Sequence, residues 1–184
     1  MIVNETKLKG CYILEPKVFE DSRGFFMETF NFEKFEKKVG YKPNFVQDNV
    51  SKSSYGVIRG LHQQSPPYSQ AKLVYVLQGN VIDVAVDARK NSPTFGQYVS
   101  VDLSSRNRKQ LFIPKGFLHG FSVISDTVIF AYKCEGFYNK ESELNVNPLD
   151  KDLNIDWGIR NDDRILSEKD LNAISFKELE PIEL

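Results

Sequence analysis

Along most of this chain, apolar residues come in short runs bounded by turn-forming residues, a spacing that suits strands rather than helices. Gln70 to Val76, Asn80 to Asp87, Thr94 to Leu103, Lys109 to Ile113, Phe117 to Ile124 and Thr127 to Cys134 are rich in Val, Ile, Leu, Phe and Tyr. Ser92-Pro93, Ser104 to Arg108, Pro114-Lys115-Gly116 and Ser125-Asp126 punctuate them. Arg106, Arg108 and Lys109 read as a solvated turn. Lys72 to Gln78 and Asn80 to Asp87 flank Gly79 and read as a hairpin. Upstream, the pattern predicts a strand around Gly10 to Leu14, turn chemistry at Asp21-Ser22-Arg23-Gly24, a strand-like run after it, and another strand from Asn44 to Val50. The one strong helical period is Phe32 to Val39, with Phe32, Phe35 and Val39 on one stripe, Asn31 as N-cap and Gly40 as stop. After Phe137 the pattern fades. Asn139 to Arg164 is polar and turn-rich, with Ile155 and Trp157 as anchors, and Ser167 opens a short capped helix. This arrangement predicts one mainly β domain, an antiparallel sandwich or barrel with a few peripheral helices, and no βαβ units.

One stretch stands apart, Gly56-Val57-Ile58-Arg59-Gly60-Leu61-His62-Gln63-Gln64. In a regular strand Ile58, Gly60 and His62 share one face and Arg59 the other. A glycine inside a strand marks a bulge or the close approach of another backbone or a ligand. A bulge at Gly60 shifts the parity and turns Arg59 towards the cavity that His62 faces. The next apolar strand opens on Lys72. Cations placed in apolar strands call for a partner or a purpose, because burying an unpaired charge is costly.

Composition narrows the classes. With 184 residues, 41% apolar and 27% charged, the chain has the make-up of a single globular domain. A net charge of −1 gives no support for nucleic acid or a membrane surface as partner. No run has the length of a transmembrane helix, and Met1 to Glu5 carries no basic, signal-like start, so the cytoplasm is the expected location. Cys11 and Cys134 sit in apolar runs and read as buried free thiols.

The chemistry is that of acids and bases. His62 and His119 are the only histidines, each alone in its strand, with no His-x-His pair and no Cys-x-x-Cys, which argues against a metal centre. No phosphate-binding glycine loop occurs. A neutral His62 near Lys72 is a competent base. It needs a carboxylate to fix its tautomer, and Lys72 is suited to a developing oxyanion. Tyr132 is a candidate proton donor from the opposite side. Together these suit proton abstraction next to a carbonyl followed by reprotonation.

Several stretches resemble the dTDP-4-dehydrorhamnose 3,5-epimerase family. These are Asp21 to Glu28, Gln47-Asp48-Asn49, Val57 to His62, Ala71 to Val74, Gly79 through Asp87, Ser92 to Gly96, Lys109 to Phe121, Tyr132-Lys133 and Ile165 to Asp170. The resemblance runs over nearly the whole chain, in order. It implies a cupin-type β-sandwich (a jelly roll), no metal or other cofactor, and a homodimer that exchanges N-terminal β-structure. It also implies a nucleotide-sugar substrate, in deoxysugar and cell-surface polysaccharide synthesis. By the same resemblance His62 is the base, Asp170 its partner, Lys72 the enolate stabiliser and Tyr132 the acid. Arg23, Glu28, Gln47, Asp48, Asn49, Arg59, His119, Glu143 and Lys169 become substrate-binding candidates, with Tyr138 placed to stack on the base. Arg59 and Arg23 suit diphosphate oxygens. The chain departs from the family at Gln63, where an aromatic is common, and over Asn145 to Asp150.

The same residues have plainer readings. His62 is also a candidate core histidine, Lys72 and Arg59 strand-edge charges, and Tyr132 a packed core aromatic. Locally, Ser167-Glu168-Lys169-Asp170 fits a capping box, with Asp170 reaching back to the Ser167 N–H. Three functions stay open: the 3,5-epimerase, an enzyme acting at one carbon or on another nucleotide-linked 4-keto sugar such as a GDP-linked one, and a nucleotide-sugar-binding cupin without catalysis.

Overall fold

The computed structural model describes residues 1–184. Thirteen strands and two α-helices follow one another as β1 (Ile2–Glu5), β2 (Tyr12–Glu15), β3 (Val18–Asp21), β4 (Gly24–Met27), α1 (Phe32–Val39), β5 (Phe45–Ser54), β6 (Ile58–Gln64), β7 (Lys72–Gln78), β8 (Asn80–Asp87), β9 (Tyr98–Ser104), β10 (Gln110–Ile113), β11 (Phe117–Val123), β12 (Thr127–Glu135), β13 (Glu143–Asn145) and α2 (Glu168–Leu171). A six-stranded sheet in the order β1-β2-β10-β7-β12-β5 packs on a five-stranded sheet in the order β13-β6-β11-β8-β9. All pairings within the sheets are antiparallel. The expected cupin-type sandwich is what the chain forms.

The expected hairpin of β7 and β8 does not form. Those strands lie in different sheets, and Gly79 is where the chain crosses between them. Val74 and Val76 on one side and Val81 and Ala85 on the other meet in the same core, so each strand gains more by facing the other across the sandwich than by pairing beside it. Gly79 has φ 86°, and a Cβ there would lie 2.1 Å from the Thr127 carbonyl oxygen, which only glycine avoids. The crossings at Pro114-Lys115-Gly116 and at residues 55–57 do the same. The chain thus alternates between sheets, and residues far apart in sequence come to line one interior.

Three apolar clusters hold the layers. The central one lies between the sheets, with Leu111, Phe117, Phe121, Val128 and Phe130 among its members. A second covers the outer face of the five-stranded sheet, where Ile58, Leu61, Val84 and Leu118 meet Val146, Leu153, Ile155, Trp157 and Ile159. The segment expected to carry two anchors therefore carries more, and Trp157 is fully buried with its Nε1–H donating to the Pro148 carbonyl at 2.8 Å. Burial of such a side chain contributes about 2–3 kcal/mol, enough to fix a segment that lacks regular structure. The third cluster seats α1 on the six-stranded sheet through Phe35, Leu73 and Phe112. That helix is as expected: Asn31 accepts from Lys34 N–H, and Gly40 closes it in the left-handed region.

β3 and β4 form a separate two-stranded hairpin. Arg108 is not the solvated residue its neighbours suggest. It ion-pairs with Glu20 at 2.6 Å and stacks 4.1 Å from the Phe25 ring centroid, which ties the hairpin to the sandwich.

Candidate active site

The stretch that stands apart in the sequence forms β6, and its irregularity is real. Opposite β11, His62 pairs with His119 and Arg59 with Phe121, so three steps on β6 match two on β11. This is a bulge at Gly60. Gly60 has φ 122°, and a Cβ there would lie 2.6 Å from Gly120 Cα and 2.7 Å from the His119 carbonyl oxygen. Both reasons for a strand glycine, a bulge and a close backbone, hold at this position. The bulge sends Ile58 and Leu61 into the outer core and leaves Arg59 and His62 on one wall. Both line a cavity of about 440 Å³ with Ser167, Lys169 and Asp170.

His62 Nε2 lies 2.6 Å from Asp170 Oδ1. Burial alone would push the Asp170 carboxyl up, but the His62 ring, Ser167 and the Gly60 backbone outweigh it and hold its pKa below the ordinary value. An ionised carboxylate only accepts, so Nε2 carries a proton, and in the neutral ring the lone pair is then on Nδ1. The two local readings of Asp170 divide between its atoms. Its backbone N–H donates to the Ser167 hydroxyl at 3.1 Å, as in a cap, while the carboxylate turns to His62 instead of back to Ser167.

The other sheet carries further candidates on its inner face. Lys72 opens β7 and pairs in register with Cys134, whose neighbours along the same face are Tyr132 on β12 and Gln47 and Asn49 on β5. Burial lowers the Lys72 pKa, and the nearby Cys134, Asp83 and Glu143 offset only part of this, so it stays below the ordinary amine value. An amine so placed is available to a ligand's negative charge. Tyr132 is half-buried against Phe130. Its pKa is raised by burial and by Cys134, with Arg59 opposing, so it is a protonated donor at neutral pH.

At the back, His119 Nε2 lies 3.0 Å from Asp83 Oδ2, both buried. Burial raises the Asp83 pKa, and His119 and then Lys72 oppose it. Asp83 had no role assigned from the sequence. The available signal was an acid in the apolar run Val81 to Val86, beside Lys72 only after folding. At the mouth, Lys169 pairs with Glu143 at 2.6 Å, and the Tyr138 hydroxyl donates to Glu143 at 3.2 Å. Burial pushes Glu143 up, but Lys169, His62 and Tyr138 bring it below its usual value. The Tyr138 N–H donates to Gln47 at 3.3 Å, and Gln47 donates to Asn49 at 3.0 Å, so the rim spans both sheets.

Arg59, His62, Lys169 and Asp170 thus line one cavity, Lys72, Tyr132, Gln47 and Asn49 share the inner face of the six-stranded sheet, and His119, Glu143 and Tyr138 join the two groups through pairing with His62 and bonds to Lys169 and Gln47. Three candidates lie elsewhere. Asp48 points to the opposite face of β5 and pairs with Lys133 at 2.9 Å. Glu28 pairs with Lys34 at 2.7 Å on a separate cavity beside α1. Arg23, 88% exposed at the tip of the β3–β4 hairpin, pairs only with Asp21. No group of three or more His, Cys, Asp or Glu side chains is arranged to hold a metal ion.

A family model described as dTDP-4-dehydrorhamnose 3,5-epimerase matches residues 5–178. The chain belongs to this family. It is 53% identical over 176 residues to the dTDP-4-dehydrorhamnose 3,5-epimerase of Shigella flexneri, covering 96% of each chain. The crystal structure of the Elizabethkingia anophelis epimerase is 57% identical, with a TM-score of 0.93 over 97% of both chains. The Legionella pneumophila epimerase, solved with dTDP-4-keto-L-rhamnose, is 46% identical, with a TM-score of 0.95 over 100% of this chain and 98% of that one.

Proposed function

We propose that this protein converts dTDP-4-dehydro-6-deoxy-D-glucose to dTDP-4-dehydro-L-rhamnose by inverting C3 and C5. The observation that carries the reading is the division of groups between two walls: a carboxylate-held imidazole on the five-stranded sheet, an amine and a phenol on the six-stranded sheet. The hydrogens on C3 and C5 are acidified by the C4 ketone. His62 Nδ1 takes one of them, and the electron pair moves into the enolate, leaving the negative charge on O4. The Lys72 ammonium stabilises that charge, and Asp170 stabilises the imidazolium. Tyr132 then gives its proton to the carbon from the other face, and the configuration inverts. Proton exchange with solvent restores both groups for the second centre. Arg59 holds the diphosphate, and Tyr138 covers the base. Incubation with this 4-keto sugar nucleotide, followed by NMR of the product, tests the assignment.

The reaction asks nothing of a metal or other cofactor, because the ketone already acidifies the hydrogens that leave. Exhaustive chelation should leave the turnover rate unchanged, measured as product formed by NMR. Loss of activity restored by one added metal would overturn this part of the reading.

We place the protein in the cytoplasm, on its two buried free thiols. No helix is long and apolar enough to cross a membrane. We also propose a homodimer in which the β3–β4 hairpin completes the neighbour's pocket. Phe19, Phe25 and Phe26 on that hairpin are 52%, 56% and 67% exposed, an apolar patch that a partner would cover. Arg23 and Glu28 would then serve the neighbour's nucleotide. Mixing inactive His62→Ala and Arg23→Ala chains should restore activity towards about a quarter of wild type in a statistical hybrid, which holds one intact pocket of two in half of the dimers. Verified hybrids with no recovery would show that each pocket is built from one chain.

A further inference from the structure

Ser53 and Arg59 flank the crossing where the chain leaves β5 for β6. On β5 the odd positions face inward, so Gln47, Asn49, Ser51 and Ser53 form a polar row down the inner side of an edge strand. The Arg59 Nε–H donates to the Ser53 hydroxyl at 3.0 Å, although the two side chains come from different sheets. Ser53 is 7% exposed, while Arg59 as a whole is exposed. The buried Ser51 hydroxyl, one step along the same row, has no partner in the chain.

We infer that Ser53 is a positioning residue, which fixes the Arg59 guanidinium so that its terminal nitrogens meet the diphosphate of the substrate. This inference rests on the reading of the site as one for a nucleoside diphosphate sugar. A guanidinium carries five N–H donors in a rigid plane. With Nε–H held by Ser53, the plane is set and the four donors of the two terminal nitrogens remain for phosphate oxygens. Without the hydroxyl, Arg59 must be ordered by the ligand itself. Immobilising one rotamer-rich side chain on binding weakens affinity by about two- to tenfold. Ser53 touches neither the sugar nor the reacting carbons, so the loss falls on binding and spares the chemical step.

The test is calorimetric binding of thymidine 5′-diphosphate and of thymidine to the full chain, with KM and kcat for the 4-keto sugar nucleotide. Ser53→Ala should bind thymidine diphosphate about two- to tenfold more weakly and raise KM by the same factor, with kcat within about twofold and an unchanged melting temperature. Binding of thymidine should not change. In an Arg59→Lys background, which lacks Nε, adding Ser53→Ala should have no further effect. Ser53→Thr and Ser53→Val, alike in shape, guard against a folding artefact: the Thr variant should bind more tightly than the Val variant. Equal diphosphate affinity in the Thr and Val variants, or a KM unchanged by Ser53→Ala, overturns the inference and leaves the functional reading intact. A wild-type chain that neither binds thymidine diphosphate nor turns over the sugar nucleotide removes the reading itself.

Discussion

Substitution of His62 by alanine should end both deuterium uptake from D₂O and epimerisation. A positioned general base contributes about 10²–10⁴-fold to rate, and no second group takes over its place. The only other histidine, His119, is held by Asp83 at the back of the opening and pairs across the strand from His62 itself. Lys72 is an amine that must stay protonated to hold the enolate. The His62 side chain is part-exposed, so its removal leaves no large hydrophobic void, and the variant should fold and still bind thymidine diphosphate. Loss of binding together with activity would point to a structural histidine. Deuterium uptake at the wild-type rate in His62→Ala would contradict the mechanism at its first step.

The Tyr132→Phe protein should separate exchange from inversion. The substitution keeps the ring that packs on Phe130 and removes only the hydroxyl. With His62 intact, proton abstraction and return on the same face continue, so deuterium enters with retained configuration. Inversion needs the second face and should fall by about a hundredfold, the scale on which a general acid acts. The raised pKa of Tyr132 sets the pH direction. The phenol is the active form, so the Tyr132 contribution is complete at neutral pH and is lost as pH rises through its elevated pKa. A folded Tyr132→Phe protein that inverts at the wild-type rate would make Tyr132 a core aromatic.

Most of the strands were legible because each is short and bounded by Gly, Pro, Ser or Asp, and the helix Phe32–Val39 because cap and stop agree; β1, β3 and β13 were not, being short and partly polar, and Thr94 to Gln97, read as the start of β9, forms a turn. The sheet partners were not legible. One glycine between β7 and β8 reads as a hairpin turn, yet the apolar faces of both strands are better buried against each other across the sandwich. The bulge at Gly60 was open to prediction from the glycine, with Arg59 and His62 close on either side of it. The pairing of Asp170 with His62 came only through the family resemblance, since nothing within Ser167-Glu168-Lys169-Asp170 itself distinguishes a cap from a catalytic partner until β6 lies beside α2. Asp83 was hidden by the same limit: its role depends on His119 and Lys72, which only the alternation between sheets brings near. Arg23 and Glu28 resemble family positions, but within one chain they reach their own neighbours Asp21 and Lys34.

The central claim is that one cavity removes and returns protons on both carbons next to the C4 ketone. Incubation of the wild-type protein with dTDP-4-dehydro-6-deoxy-D-glucose in D₂O, followed by NMR, tests it most directly. Deuterium at both C3 and C5, with the product in the L-rhamno configuration, is the predicted result. Deuterium at one carbon alone would make the protein a single-site epimerase, and no uptake at either carbon would contradict the account.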